Sequence, residues 1–350
     1  MSRNRKRSPS AEPPATRGYR RARAISARHG RTYHLATRML PAARRDAVFA
    51  LYGFARVVDD VVDDVDLSRP EAAKDAAVRL DAIEGALDAA LRSAGRAEDV
   101  LAGPDPTGSS SRSGARSEDA ELDELLAALA DTVTRFGVDP DTFGAFLASM
   151  RMDVPGTPGF RSRYRTFDEL AEYTYGSAAV IGLQVLPVLG ADPTAEHLRG
   201  PAIALGEAFQ LTNFVRDVAE DLARDRIYLP TDELSAFGVD EDRLRRCAAT
   251  GVTDAPLRRA LAHVIAVNRD LYRAAAPGIT LLPRSSRPAI AAAAAGYEEI
   301  LTVIEDSGYQ VMAGRAVVPT RRRAARAVRA VFSSRADTPA VRTPGPAPAG

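Results

Sequence analysis

The stretch GEAFQLTNFVRDVAED, residues 206–221, decides how this chain folds. Gln210, Asn213, Asp217 and Asp221 fall at i, i+3, i+7 and i+11, one stripe along one face of an α-helix. Phe209, Leu211, Phe214, Val215 and Val218 occupy most of the rest, leaving little room for a second, wholly apolar face. The bland reading of the stripe is a solvated surface. A solvated stripe is normally a mixture of Lys, Glu and Gln, whereas this one is Gln, Asn and Asp. Those residue types suit oxygen coordination of a hard cation.

A second acidic segment lies far upstream, LYGFARVVDDVVDD at residues 51–64. Asp59 and Asp63 are four apart, as are Asp217 and Asp221, so each pair shares a helix face one turn apart. Like charges at that spacing repel by a few tenths of a kcal/mol on a solvated helix. Facing an apolar interior they cost far more unless a cation neutralises them. Magnesium binds through one or two carboxylates plus substrate phosphates. Two such helices facing each other make a metal–diphosphate clamp, with Asp59, Asp63, Asn213, Asp217 and Asp221 as metal ligands. Arg56, three residues before Asp59, either holds the aspartates apart or takes a phosphate oxygen. An ordinary intrahelical Arg–Asp pair is the competing reading, and it leaves four aspartates in six positions unexplained.

With 350 residues, 45% of them hydrophobic, there is room for a large core. The formal net charge of +1 gives no global pull toward nucleic acid, and none is expected as partner. Positive charge gathers at the ends: residues 1–31 carry one acid, Glu12, among many arginines, and Arg321, Arg322, Arg323, Arg326 and Arg329 follow Arg315. Such runs bind anionic membrane surfaces or are simply solvated. Cys247 is the only cysteine, which excludes an intrachain disulfide and fits a reducing cytoplasmic compartment. His29, His34, His197 and His263 lack metal-ligand spacing, and no glycine-rich nucleotide fingerprint or P-loop is present.

Residues 1–23 are Arg-, Pro- and Ser-rich and are expected to be disordered, as is the Pro/Ala/Gly tail at 333–350. Residues about 93–118, with GPDP and GSSS, read as a flexible insertion. Everything between, 24–332, reads as helix. Residues 167–189 are apolar nearly all round, a buried central helix with a kink expected near Gly182 or Pro187. Residues 255–276 and 286–306 form helices separated by Pro277-Gly278 and Pro283. The class is all-α: a single-domain helical bundle around a central apolar cavity.

Four segments carry a resemblance: RTY at 31–33, LYGFARVVDDVVD at 51–63, the stretch at 206–221, and RIYLP at 226–230. Together with YTYGSAAVIG at 173–182 they closely resemble the squalene/phytoene synthase family, nearest to its bacterial phytoene synthases, over roughly residues 24–318. The resemblance implies an all-α isoprenoid synthase that joins two prenyl diphosphates head to head, with Mg2+ or Mn2+. For phytoene synthases it implies geranylgeranyl diphosphate as substrate, prephytoene diphosphate as intermediate, and no nicotinamide reductant such as NADPH. It places Tyr33, Tyr52, Tyr173 and Tyr297 among the cavity aromatics, with core packing equally open for Tyr297. It makes Tyr173 the candidate catalytic hydroxyl, and adds Arg226 and Tyr228 of RIYLP to the substrate-binding set. Independently, Arg56, Arg216 and Arg226 suit charge-assisted hydrogen bonds to phosphate oxygens.

The chain departs from the family at Ser177-Ala178-Ala179-Val180-Ile181-Gly182, where many members carry Val-Ala-Gly-Thr-Val-Gly. The added methyl of Ala179 is expected to reshape the tunnel and bears on chain length. Two other functions compete: a C30 synthase of the (dehydro)squalene type using farnesyl diphosphate, and a helical scaffold that has lost the chemistry. Intact acidic motifs argue against the scaffold. A long hydrocarbon product implies peripheral association with the cytoplasmic membrane and makes downstream carotenoid enzymes candidate partners.

Overall fold

The computed structural model describes residues 12–29, 31–63, 65, 69, 71–100 and 117–336. Fourteen α-helices make up the described chain, and its only strand-like feature is an isolated bridge between Arg163 and Ile227. In chain order, α1 (Pro14–His29) and α2 (Arg31–Thr37) precede α3 (Ala42–Asp63), which ends in the first acidic segment. Then come α4 (Ala72–Val100), α5 (Ser117–Phe136) and α6 (Asp141–Arg151). α7 (Phe167–Thr174) leads through a π-turn at Tyr175–Ala179 into α8 (Val180–Val188). The long α9 (Glu196–Ala223) carries the second acidic segment. α10 (Thr231–Ala236), α11 (Glu241–Thr250), α12 (Ala255–Leu281), α13 (Arg287–Asp306) and α14 (Thr320–Ala336) complete the chain.

Local signals start several of these helices where the sequence places polar caps. Thr166 accepts the backbone N–H of Glu169 and opens α7, while Asp240 and Asp254 do the same for α11 and α12. Gly251, at φ 66°, closes α11 in the left-handed conformation that suits glycine.

α9 is the central element, packed against α12, α13, α8 and the π-turn. Two glycines let its neighbours approach. A Cβ on Gly182 of α8 would sit 2.2 Å from the carbonyl oxygen of Ala202, and one on Gly206 of α9 would sit 2.4 Å from that of Ala178. The backbones touch there, and no larger residue fits. α3 crosses the same layer, burying Leu51, Phe54, Val58 and Val62 in the main core.

The architecture matches the sequence reading, with five corrections. Residues 14–23, expected to be disordered, form most of α1. Two of their arginines are neutralised by α5, Arg17 pairing with Glu124 and Arg21 with Glu121; Arg23 pairs with Asp46 of α3, and Ala22 is fully buried. Balancing acids a hundred residues away are invisible to composition. The expected flexible insertion shrinks as well, because 93–100 extend α4 and 117–118 begin α5; residues 101–116 lie outside the described residues. Likewise 333–336 extend α14, and 337–350 lie outside. Finally, the break within 167–189 falls at the π-turn and not at Gly182 or Pro187, and α12 continues through Pro277 to Leu281. Pro277 lies near the C-terminal end of α12, and Gly278 there admits Pro201 of α9, whose Cβ would lie 2.3 Å from an added Cβ.

Gly206→Ala is therefore expected to push α9 from the π-turn and to destabilise the fold by about 1–3 kcal/mol. A chemical denaturation midpoint equal to that of the wild type would contradict the close approach.

Candidate active site

α3 and α9 change polarity at the same level. Along α3, Val48, Leu51, Tyr52 and Ala55 line an apolar cavity of about 260 Å³, and Ala55, Arg56, Asp59 and Asp63 line a polar one of about 360 Å³. Along α9, Leu205, Phe209, Gln210 and Asn213 line the first, and Gln210, Asn213, Asp217 and Asp221 the second. The two cavities meet at a neck whose walls they share: Ala55, Ser177, Ile181, Gln210 and Asn213. The stripe read from the sequence thus faces inward, and both acidic segments border one polar chamber.

The chamber holds buried negative charge that its own cations only partly balance. Burial, then the charge of Asp63, pushes the Asp59 carboxyl up to about 7, against the pull of Arg56. Burial and then Asp217 push Asp221 up to about 8, opposed by Arg224 and Arg226. Asp217 is held by two guanidinium groups. Arg216 donates from Nε at 2.7 Å and from Nη2 at 2.5 Å; Arg315 donates from Nε at 2.9 Å and from Nη2 at 2.8 Å. Arg56 pairs with Asp60, not with Asp59, and its buried Nε has no partner. The side-chain oxygen of Asn213, Oδ1, is also buried and unpartnered.

A sharp reversal after α9 positions Arg226. Asp225 adopts a left-handed φ of 57°, and its carboxylate accepts from Arg163 at 2.8 Å and from Arg245 at 2.9 Å. The Arg226 N–H then donates back to the carbonyl of Asp221 at 2.9 Å. Its guanidinium donates to the carbonyl oxygens of Asp153 (3.1 Å) and Val62 (3.3 Å) and reaches Asp63 at 3.5 Å. One side chain therefore ties the end of α9 to the end of α3.

Asp153 escaped the sequence reading. It is an isolated acid in the turn after α6, outside any periodic motif, and it is 3% exposed. Its carboxylate accepts from the Tyr173 hydroxyl at 2.6 Å and the Tyr228 hydroxyl at 2.8 Å. Both tyrosines line the polar chamber, and their hydroxyl protons are committed to Asp153. Tyr164, Tyr173, Phe214 and Tyr228 stack around this contact.

Arg224 and Arg315 were also missed as chamber residues. Arg315 reads in sequence as the start of a basic tail. That tail is largely committed internally, because Arg322 and Arg326 pair with Glu299, which is 2% exposed.

Tyr33, Tyr52 and Phe209 form an aromatic wall of the apolar cavity beside the neck. Tyr297 lies behind it, its ring 4.9 Å from Tyr33 and 4.5 Å from Phe209, and lines neither cavity. Of its two sequence readings, the structure places it in packing. All other expected site residues line one cavity or both. Ala179 is fully buried and lines neither cavity; it packs near Gly206 of α9, so its methyl does not shape the tunnel.

Among the described residues, no group of three or more His, Cys, Asp or Glu is arranged to hold an ion by protein ligands alone. An ion here would need ligands from solvent or substrate. Because Asp221 is buried beside like charge, Asp221→Asn is expected to raise the melting temperature of the metal-free protein by about 2 °C. Magnesium with pyrophosphate should then stabilise the wild type more than the variant in thermal melts. A variant less stable than the wild type without metal would contradict the electrostatic reading.

A family model described as squalene/phytoene synthase matches residues 26–323. A 15-cis-phytoene synthase of Synechocystis sp. is 35% identical over 327 residues, covering 90% of this chain and 85% of its own. One from Synechococcus elongatus is 34% identical, covering 87% and 89%. A solved dehydrosqualene synthase in complex with ligand has the same fold, with a TM-score of 0.71 at 23% identity, covering 93% of this chain and 100% of that one. On the family match across most of its length and on relatives above 30% identity, the chain belongs to the squalene/phytoene synthase family.

Proposed function

We propose that this chain is a phytoene synthase, a prenyltransferase of carotenoid biosynthesis. It condenses two geranylgeranyl diphosphates head to head, through prephytoene diphosphate, to phytoene. The observation that carries this reading is the pair of adjoining cavities: a polar chamber faced by both acidic helices shares a five-residue neck with an apolar cavity. A prenyl diphosphate has that same division, a charged head and a long hydrocarbon joined by one C–O bond. That the similar sequences are named 15-cis-phytoene synthases supports this reading over the C30 alternative.

The donor set fits a hard divalent cation. Asp59, Asp63, Asn213, Asp217 and Asp221 offer only oxygen donors, with the Asn213 Oδ1 buried and unpartnered and the Asp59 and Asp221 carboxyls pushed up by burial and then by like charge. These residues would hold magnesium or manganese, which would supply positive charge for a departing diphosphate. The chain's own cations share that task. Arg56 has a free buried Nε, and Arg216, Arg226 and Arg315 border the same chamber, each suited to a phosphate oxygen. The allylic cation left behind faces Tyr52, Tyr33 and Phe209, whose rings stabilise positive charge and exclude water. Tyr173 is the candidate hydroxyl group at the chamber wall, oriented by Asp153. The overall reaction releases two diphosphates and two protons, so no hydride from NADPH enters its balance.

A C40 hydrocarbon leaves toward lipid, and we place the protein at the inner face of the cytoplasmic membrane, delivering product to later carotenoid enzymes. No described helix is long and apolar enough to cross a membrane. Phe332, 67% exposed, and Val328, 55% exposed, stand on the outer side of α14 beside Arg329, a surface suited to anionic lipid.

Purified protein with magnesium and geranylgeranyl diphosphate should yield phytoene without reductant, and Asp59→Asn or Asp217→Asn should lower turnover roughly a hundredfold or more. A C30 product from farnesyl diphosphate, with the C20 substrate untouched, would replace this reading with the (dehydro)squalene type. In a flotation assay the protein should rise with anionic vesicles at low salt and stay behind with neutral ones; indifference to vesicle charge would remove the membrane proposal.

A further inference from the structure

Ser177 is the one polar residue at the neck that the reading above leaves without a task. Its neighbours there are accounted for: Asn213 as a metal ligand, Gln210 accepting from the Asn213 amide at 3.4 Å, Ala55 and Ile181 as apolar wall. The Ser177 Oγ is buried and has no hydrogen-bond partner among the described residues. The hydroxyls of Tyr164 and Thr253 are also buried without a partner, but both lie outside helices and line neither cavity. The buried helical hydroxyls of Thr132, Ser149, Thr212 and Ser334 each donate to a backbone carbonyl three or four residues earlier. Ser177 instead sits in the π-turn, where the register of the helix slips between α7 and α8. The turn itself is pinned in place, since a Cβ on Gly176 would lie 2.3 Å from the carbonyl of Ala145. A buried hydroxyl left unpaired is destabilising unless a bound group takes up its hydrogen bond.

We propose that Ser177 is a catalytic residue that donates a hydrogen bond to the ester oxygen joining the prenyl chain to its diphosphate. This rests on the prenyl diphosphate reading of the adjoining cavities. With the hydrocarbon in the apolar cavity and the phosphates in the polar chamber, the bond between C1 and that oxygen lies at the neck, the level both cavities share with Ser177. On ionisation the C1–O bond breaks and its electron pair stays on the oxygen, which becomes part of free diphosphate. Ser177 keeps its proton, and its hydrogen bond strengthens as negative charge grows on the acceptor. A donor whose bond is stronger in the transition state than in the ground state raises kcat and leaves KM little changed.

The test compares Ser177→Ala and Ser177→Cys with the full-length wild type, using magnesium and whichever of the C15 and C20 diphosphates the wild type turns over. The alanine variant should lose roughly 10- to 100-fold in kcat with KM within threefold. The thiol, a weak donor of similar size, should fall between alanine and serine. Thermal melts of the alanine variant should lie at or above the wild type, because an unpaired buried hydroxyl has been removed. An alanine variant within twofold of wild-type kcat, or at or above the cysteine variant, overturns the proposal. So does a kcat loss accompanied by a lowered melting temperature, which would mark Ser177 as packing. A wild type inactive on both substrates would overturn the functional reading itself, whereas an active wild type with an indifferent alanine variant overturns this inference alone.

Discussion

The site depends on a concentration of carboxyls in one chamber whose ionised forms the chamber's own arginines offset only in part. Asp59, Asp63, Asp217 and Asp221 border one chamber, and at least two of their carboxyls are pushed far above the normal carboxylate range by burial and mutual repulsion. Such an arrangement persists only if the rest of the structure stabilises it. The large apolar core carried by α3, α9 and α12 supplies that stability. Arginines limit the repulsion at specific points: Arg216 and Arg315 on Asp217, Arg224 and Arg226 toward Asp63.

Holding the two acidic rows in register is a backbone problem before it is a side-chain one. α9 can lie against α8 and the π-turn only because Gly182 and Gly206 allow contact between main chains. The reversal at Asp225 then returns Arg226 beneath α9, where it reaches α3 and the Asp153 turn together. Asp153 in turn orients Tyr173 and Tyr228. The arginine that joins the helices and the tyrosines that line the chamber therefore meet at one buried carboxylate.

The polarity change within α3 and α9 gives the site its direction. The residues that each helix turns toward the site are apolar along its earlier part and acidic along its end, and the change falls at Ala55 on α3 and at Gln210 to Asn213 on α9. A ligand entering this space is sorted along its length, hydrocarbon to one side and phosphate to the other. The aromatic wall of Tyr33, Tyr52 and Phe209 lies just on the apolar side of the neck, where a cation formed by loss of diphosphate would first appear.

Helical class and the two acidic stripes were legible in the sequence because they are periodic, whereas Tyr33, Tyr173, Arg226 and Tyr228 were singled out only through the family resemblance. Spacing of three, four and seven maps directly onto a helix face, and no folding knowledge is needed to see that Gln210, Asn213, Asp217 and Asp221 point together. Residues without a period were not legible. Asp153 sits alone in a turn, Arg315 resembles a basic tail, and Ser177 looks like any small helical residue until a π-turn strands its hydroxyl at the neck. Residues 14–23 look disordered because the acids that balance them lie on α5 and α3. The sequence by itself determined which faces are charged, since that follows from the pitch of the helix. Only the tertiary structure decided which faces meet, because contacts between residues far apart in the chain depend on how close two backbones can come.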